Sequence, residues 1–297
     1  MNKMPPVPRI LTAPDTPELE RFLAPRTSSS MFLLSNSRRS GLLDTGKPVS
    51  GTYAAAFDDQ GSMTAVAAVY WNGMAILQAD QQAPDLVQLA SRAADRPLKG
   101  LIGLRDQVYK ATSALGLPTA GPIVQLHAVE SLYELNLNAL VIPEMLRTGR
   151  VRARLTTPAD LDLVADWDAQ LGITALGATD SPAHRAAARE NVARQCAENR
   201  AWLLEDEGRP VSRSIFSARI AEAVQVGGVW TPPEFRNRGY ARCVVAASLQ
   251  AARAAGAQTA VLFTNDDNPA ANKAYATLGF NRIADWCILL YRGPVSI

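Results

Sequence analysis

The chain has 297 residues, a formal net charge of +2, 47% hydrophobic and 6% aromatic residues. That length accommodates two domains of ordinary size better than one, and the apolar fraction is enough for a real core. The near-neutral balance and scarce aromatics exclude a basic nucleic-acid platform and an electrostatic attachment to membranes.

The three cysteines, Cys196, Cys243 and Cys287, are odd in number and widely spaced, which argues against a disulfide framework and against a zinc cluster. A reduced, cytoplasmic compartment is expected, with no metal. The start, MNKMPPVPRI, lacks the apolar core of a secretory leader, and no stretch reaches the roughly 20 apolar residues of a membrane span. With two histidines, His127 and His184, and no G-x-S-x-G, Ser-His-Asp hydrolysis has little to work with.

In chain order, TPELERFLAP and SSSMFLLSNSRRSGLL predict two short helices, each with Ser or Thr near its start. GTYAAAFDD and MTAVAAVYW predict strands around a DDQG turn, and NGMAILQA a third. A helix follows from Pro84 to about Asp95, then the apolar run LKGLIGL, then a helix in RDQVYKATSALGL. The second half repeats this order. VRARLTT is a strand, PADLDLVADWDAQL and AHRAAARENVARQCAEN are helices, and AWLLEDEG, VSRSIFSAR and EAVQVGGVWT are strands. A helix then runs to about Gly256, followed by the buried strand TAVLFTN, the short helix NPAANKAYATLGF and a last strand, WCILLY. FDDQG (57–61) and LEDEG (204–208) occupy matching turns, so the chain reads as two copies of one plan. We place the boundary at 148/149, with ESLYELNLNALVIPEMLRTGR as the connecting segment.

Two stretches carry chemistry. In PEFRNRGYARCVVAAS two arginines flank an asparagine and one glycine follows, where a helix begins. A helix start leaves about four N–H groups without internal partners and carries partial positive charge, so it suits an anion, phosphate above all. Gly239 permits backbone angles that turn successive N–H groups into one concavity, Arg236 and Arg238 add charge, and Ala241 leaves room. Val244, Val245, Leu249 and Ala252 form the stripe that fixes the helix on a sheet. The dinucleotide motif G-x-G-x-x-G and the triphosphate-loop G-K-[ST] are both absent. In NPAANKAYATLGF, Asn268 is a good N-cap and Pro269 a good first residue. Asn268, Asn272 and Tyr275 share one helix face; Ala271, Ala274 and Leu278 share another, the expected buried one.

Together these stretches resemble the GNAT superfamily of acyl-CoA-dependent N-acetyltransferases. The family's phosphate loop, [QR]-x-x-G-x-[GA], is matched by Arg236-Asn237-Arg238-Gly239-Tyr240-Ala241, and N-P-A-A-x-x-x-Y-x-x-x-G-F by residues 268–280. GGVWTPPEFR resembles the family's fourth strand and its exit. The resemblance covers roughly residues 150–297. It implies an α+β fold, with two tandem GNAT-like domains, each a mostly antiparallel mixed sheet flanked by helices. The first half resembles the fold only in element order. Where its phosphate loop belongs it reads ILQADQQAPDLVQLA, with no glycine and with Asp80 and Asp85, so residues 1–148 are expected to be a degenerate copy and 149–297 the acetyltransferase domain.

By the same resemblance, acetyl-CoA is the acyl donor, and the acceptor is an amine of a small molecule or peptide. Backbone groups of Gly228, Val229 and Thr231 bind the pantetheine arm, with an N–H near Val229 facing the thioester oxygen. Residues 237–241 hold the pyrophosphate, Asn268 and Asn272 bind the cofactor or order its loop, and Tyr275 donates a proton to the sulfur. Glu222 is the first candidate base; Glu234, Asp285 and His184 stay open, as does a water chain. The expected partners include no nucleic acid and no membrane, and the expected assembly is a monomer with pseudo-dimeric halves or a homodimer. The alternative is a non-catalytic acyl-CoA-binding sensor or scaffold.

Overall fold

The acidic glycine turn that begins at Asp58 joins two antiparallel strands, and the one at Glu207 and Gly208 does the same. This correspondence extends through the chain. The computed structural model describes residues 7–297, so most of the amino-terminal stretch read above for a leader lies outside the described residues. The chain divides into two units, the first ending at Glu130 and taking in Ala284–Ile297, the second being Ser131–Ile283.

In the first unit the order is β1 (Arg9–Ile10), α1 (Thr16–Leu23), α2 (Thr27–Ser40), β2 (Gly51–Phe57), β3 (Met63–Tyr70), β4 (Met74–Gln78), α3 (Ala83–Ala93), β5 (Leu98–Leu104) and α4 (Arg105–Ala114). Its strands lie in the order β1-β2-β3-β4-β5, antiparallel except for the parallel pair β4–β5. After β6 (Val124–Asn136) and the short α5 (Glu144–Arg147), the second unit repeats the plan. It runs β7 (Val151–Leu155), α6 (Leu161–Leu176), α7 (Pro182–Ala197), β8 (Ala201–Asp206), β9 (Arg209–Arg219), β10 (Ala223–Trp230), α8 (Tyr240–Ala254), β11 (Thr259–Asn265) and α9 (Pro269–Leu278). The strand order is β7-β8-β9-β10-β11, again antiparallel except for the last pair, β10–β11.

The repeat reaches individual side chains. Arg9 holds Asp15 through hydrogen bonds of 2.9 and 2.6 Å, and Arg154 holds Asp160 through bonds of 2.7 and 2.8 Å. Each aspartate also completes a capping box with a threonine three residues earlier, Thr12 or Thr157, at the first turn before α1 or α6. The segments read RILTAPD and RLTTPAD. This is a stronger sign of duplication than the glycine turns, and one that element order does not reveal.

The single boundary expected at 148/149 gives way to two divisions, at 130/131 and 283/284. The physical reason is strand length. β6 has 13 residues and crosses the first division; β12 (Asn281–Val295) has 15 and crosses the second, so that its later residues pair antiparallel with β5. β6 alternates apolar and polar residues only from Val124 to Ala128; Glu130 then falls on the apolar face, and most of its residues are half-buried, so the strand has a weak signature.

In the second unit Leu203 and Leu204 are both fully buried, yet in different clusters, because successive strand residues face opposite sides of the sheet. On one side Val244, Val245 and Leu249 of α8 pack with Phe216, Val226 and Leu262. On the other, Val164 and Trp167 of α6 and Val192 of α7 pack with Leu203 and Trp230. Two helical layers thus clamp β10 in place. In the first unit small strand residues, Ala54, Ala56, Ala65 and Ala67, let Leu86, Val87 and Ala90 of α3 approach closely.

Candidate functional site

The parallel pair β10–β11 is formed only at its start. Ala223, Val224 and Gln225 sit opposite Thr259, Ala260 and Val261, but β10 continues to Trp230 and β11 to Asn265 without further register between them. Two irregularities keep β10 on β9 while it leaves β11. One falls between Gln225 and Val226 and the other between Gly227 and Trp230. In the second, Gly227 faces Ile215 and Trp230 faces Arg213, so Gly228 and Val229 share one opposing residue and form a bulge. Gly228 has φ 55°, a left-handed conformation natural to glycine. The result is a wedge between two strands whose backbone groups are half-exposed at Gly227, Gly228 and Val229.

The loop at the wedge's open end leads into α8. Asn237 (φ 61°) and Gly239 (φ 79°) are both left-handed, and Tyr240 starts the right-handed helix. A left-handed residue followed by a right-handed one turns consecutive N–H groups the same way, a concavity for an anion. The first helical bond along α8 is from Cys243 N–H to Gly239 O, at 3.3 Å, so the N–H groups just before Cys243 lie in the turn that has no acceptor within the helix. The arginines divide their work. Arg236 turns back, its Nε donating to Thr231 O at 3.0 Å and its guanidinium lying 5.1 Å over the Trp230 ring. Arg238 and Arg242 are exposed. Arg242 folds over the loop, since a Cβ added at Gly239 would lie 3.0 Å from its Nε. It escapes the motif reading because it stands just past the motif's last residue. Tyr240 sends its phenol into the protein, where it donates to Asp206, leaving only its backbone for the concavity.

Helix α9 differs in part from its expected face. Asn268 caps it, its Oδ1 accepting from Ala271 N–H at 3.1 Å. Asn272 donates through Nδ2 to Asn265 O (3.1 Å) and Asp266 O (3.2 Å), and its Oδ1 accepts from Tyr133 at 3.0 Å. The Asn268 side chain is therefore committed to the first turn of α9, and that of Asn272 to the end of β11 and the turn after it. Tyr275 is buried in the α8 core beside Leu278, its ring edge-on to Phe280 at 6.0 Å, whereas Ala271 and Ala274 are only half-buried.

Thr231 is held at the end of β10 by Ser212, whose Oγ lies 2.9 Å from its hydroxyl and donates to Trp230 O at 3.1 Å. Glu222 is not brought to the wedge. Its carbonyl accepts from Gln258 N–H and Thr259 N–H, at 2.8 and 3.2 Å, where β10 and β11 are closed. At about 3.3 Å per residue it stands roughly 20 Å along the strand from Val229, and the register of β10 on β11 makes its end the closed one. The other candidate bases have partners or exposure of their own. Asp285 pairs with Arg105 in the first unit, Glu234 is exposed, and His184 donates from Nε2 to Ala169 O at 3.0 Å while its ring packs on Gly172 of α6.

One group at the wedge has no motif. Arg213, 1% exposed in the middle of β9, donates from Nε to Gly228 O (3.1 Å), from Nη1 to Val164 O (3.1 Å) and from Nη2 to Asp168 Oδ1 (2.5 Å). The only trace it leaves in sequence is an arginine inside an otherwise strand-like run, VSRSIFSAR. A buried charge demands partners, but sequence alone does not say which.

Among its described residues the first unit shows no such bulge beside its parallel pair. β4 pairs with β3 without a bulge, and Leu77 O lies 3.3 Å from the position a Cβ would take on Gly103, so β4 and β5 stay together. Asp80, paired with Lys110, and Asp85 stand around the start of α3. Among the described residues no three His, Cys, Asp or Glu side chains group so as to hold a metal ion, and no helix is long and apolar enough to cross a membrane.

A wedge between parallel strands, opening on a glycine turn and a helix start, defines the acyltransferase fold of the GNAT type. Residues 169–280 match the family model described as the acetyltransferase (GNAT) family, so the chain carries a GNAT domain in its second unit. Over nearly its whole length the chain has the fold of several solved structures. A Drosophila protein aligns over 96% of this chain and 98% of its own, with TM-score 0.67 and 11% identity. A GCN5-related N-acetyltransferase from Sphaerobacter thermophilus covers 98% and 97%, with TM-score 0.56 and 15% identity. A tandem GNAT protein from the clavulanic acid biosynthesis pathway covers 98% and 100%, with TM-score 0.54 and 13% identity. No curated protein matches the chain.

Proposed function

We propose that the second unit transfers an acetyl group from acetyl-CoA to a primary amine of a small molecule or peptide. The observation that carries this reading is the parting of β10 from β11 after Gln225, beside the left-handed Gly239 turn that opens α8. Outward N–H groups, the cations Arg238 and Arg242 and the half-exposed bulge fit a ligand with a diphosphate and a narrow amide-bearing arm.

Acetyl-CoA supplies an acyl group activated as a thioester. Transfer to an amine then needs an unprotonated amine, a polarised carbonyl and a proton for the departing sulfur. We assign the diphosphate to the backbone of residues 237–241, with Arg236 anchoring the loop and Arg238 adding charge. Gly228, Val229 and Thr231 hold the arm through their backbones, and the Val229 N–H supports the carbonyl oxygen as it gains charge. Tyr275, a phenol able to act as a weak acid, holds the proton for sulfur. Asn268 caps α9 and Asn272 orders the loop after β11.

The test is calorimetric titration with CoA, followed by thiol release from acetyl-CoA across amines, amino acids, aminoglycosides and peptides. Saturable turnover with at least one amine is expected. Absence of CoA binding overturns the reading. Tight binding without thiol release from any acceptor replaces it with a non-catalytic acyl-CoA-binding protein.

A further inference from the structure

We propose that Arg213 is a positioning residue that aims the Val229 N–H at the acyl oxygen, and that Asp168 locks it in place; this rests on the acyltransfer reading above. The peptide unit between Gly228 and Val229 lies within the bulge of β10. Among the described residues no peptide bond is cis, so this unit is trans and planar, and its C=O and N–H point in opposite directions. Arg213 Nε donates to the Gly228 oxygen at 3.1 Å. Holding the oxygen therefore turns the Val229 N–H away from Arg213. The same positive charge draws electron density toward the oxygen and makes that N–H a better donor.

The bulge supplies the freedom that Arg213 removes. Gly228 and Val229 share one opposing residue on β9, so ladder geometry alone does not determine how their peptide is rotated. The left-handed Gly228 permits the rotation, and a Cβ there would lie 2.9 Å from Arg213 Nη2. The guanidinium is then tied at two further points, Val164 O and Asp168, both on α6. Asp168 is fixed in turn, its other oxygen accepting from Asn191 of α7 at 3.3 Å. A run of hydrogen bonds thus leads from two helices through the sheet to one carbonyl on the wedge.

Stability is a poor reason for this arrangement. Burial opposes the charge on Arg213, and apolar side chains replacing such a buried ion pair as a whole are often neutral or stabilising, although loss of Arg213 alone strands Asp168. What an apolar residue cannot do is orient and polarise a peptide group.

The test compares Arg213→Met, Arg213→Lys and Asp168→Asn with wild type, by thermal melting, CoA titration and steady-state kinetics with the best amine. In Arg213→Met we expect kcat to fall about 100-fold, as when an oxyanion donor is lost, with CoA affinity within about threefold of wild type. Arg213→Lys, which keeps a charged donor, is expected to regain about tenfold. A folded Arg213→Met with wild-type kcat, or with CoA affinity falling in parallel with kcat, overturns the proposal, as does a lysine variant no better than methionine. Should Arg213→Met fail to fold, Arg213→Lys and Asp168→Asn carry the test. Each is then expected to lose about tenfold in kcat at unchanged CoA affinity, and undiminished kcat in both overturns it. A wild-type protein that binds CoA but acetylates no amine is a separate outcome: it refutes acyl transfer itself, and this inference with it.

Discussion

Arg154 grips Asp160 through two parallel hydrogen bonds, 2.7 and 2.8 Å long, at the entry to α6. With the Thr157 N–H adding a third at 2.8 Å, the carboxyl is held down to about 2, chiefly by the arginine. Asp15 is likewise pushed well below the usual carboxylate range by Arg9. A carboxyl whose folded pKa is depressed stabilises the fold fully above its unfolded value, near 3.9, and loses that contribution as pH falls through the folded one. Acid destabilisation is therefore expected to set in below about pH 4 and to deepen toward about pH 2. Asp160→Asn is expected to lose up to about 2 kcal/mol at pH 7 and to show a flatter fall between pH 4 and 2. Thermal melts of both proteins across that range check this; parallel curves contradict it.

One CoA is expected to bind per chain. The duplicated plan offers two helix starts after the fourth strand, α3 and α8, but only α8 follows a bulged strand that parts from its parallel neighbour. Titration calorimetry reads the stoichiometry directly, and a value of two rejects the view that the first unit is degenerate.

Tyr275→Phe is expected to lower kcat about 100-fold while leaving CoA affinity unchanged, the loss typical of a general acid. The ring is buried against Phe280, and phenylalanine preserves that packing, so the melting temperature serves as a control for the fold. Equal turnover in the two proteins removes the phenol from the chemistry.

Gly239→Val is expected to weaken CoA binding about tenfold or more. A β-branched residue at φ 79° costs about 1–2 kcal/mol, and its Cβ would push on the Arg242 guanidinium. Calorimetry with CoA reads the affinity; a wild-type value places the diphosphate elsewhere.

Asn272→Ala is expected to destabilise the protein by about 1–3 kcal/mol, because it leaves the carbonyls of Asn265 and Asp266 and the Tyr133 hydroxyl without this partner. Chemical denaturation measures it. A change in kcat much larger than the change in stability would give Asn272 a direct part in the site.

Local features of the second unit were legible because their causes are local. A glycine before an alanine-rich stripe marks the turn into α8, and Asn268-Pro269 marks the start of α9, whatever the rest of the chain does. Helix periodicity also singled out Val244, Val245 and Leu249, all of which are fully buried. Periodicity misled at α9, where it grouped Tyr275 with two polar amides. The core took the phenyl ring, and the amides turned to the backbone of their own loop.

The amino-acid sequence by itself determined the order of strands and helices, their duplication, and the helix start suited to a diphosphate, since these follow from neighbours within a few residues. Only the tertiary structure decided that Glu222 lies at the closed end of β10, that β6 and β12 each cross between units, and that Arg213 meets Gly228 across a bulge. Those outcomes depend on strand register and on partners 15 to 180 residues apart, as for Arg213 with Gly228 and Arg105 with Asp285. No pattern within a short window encodes such pairings.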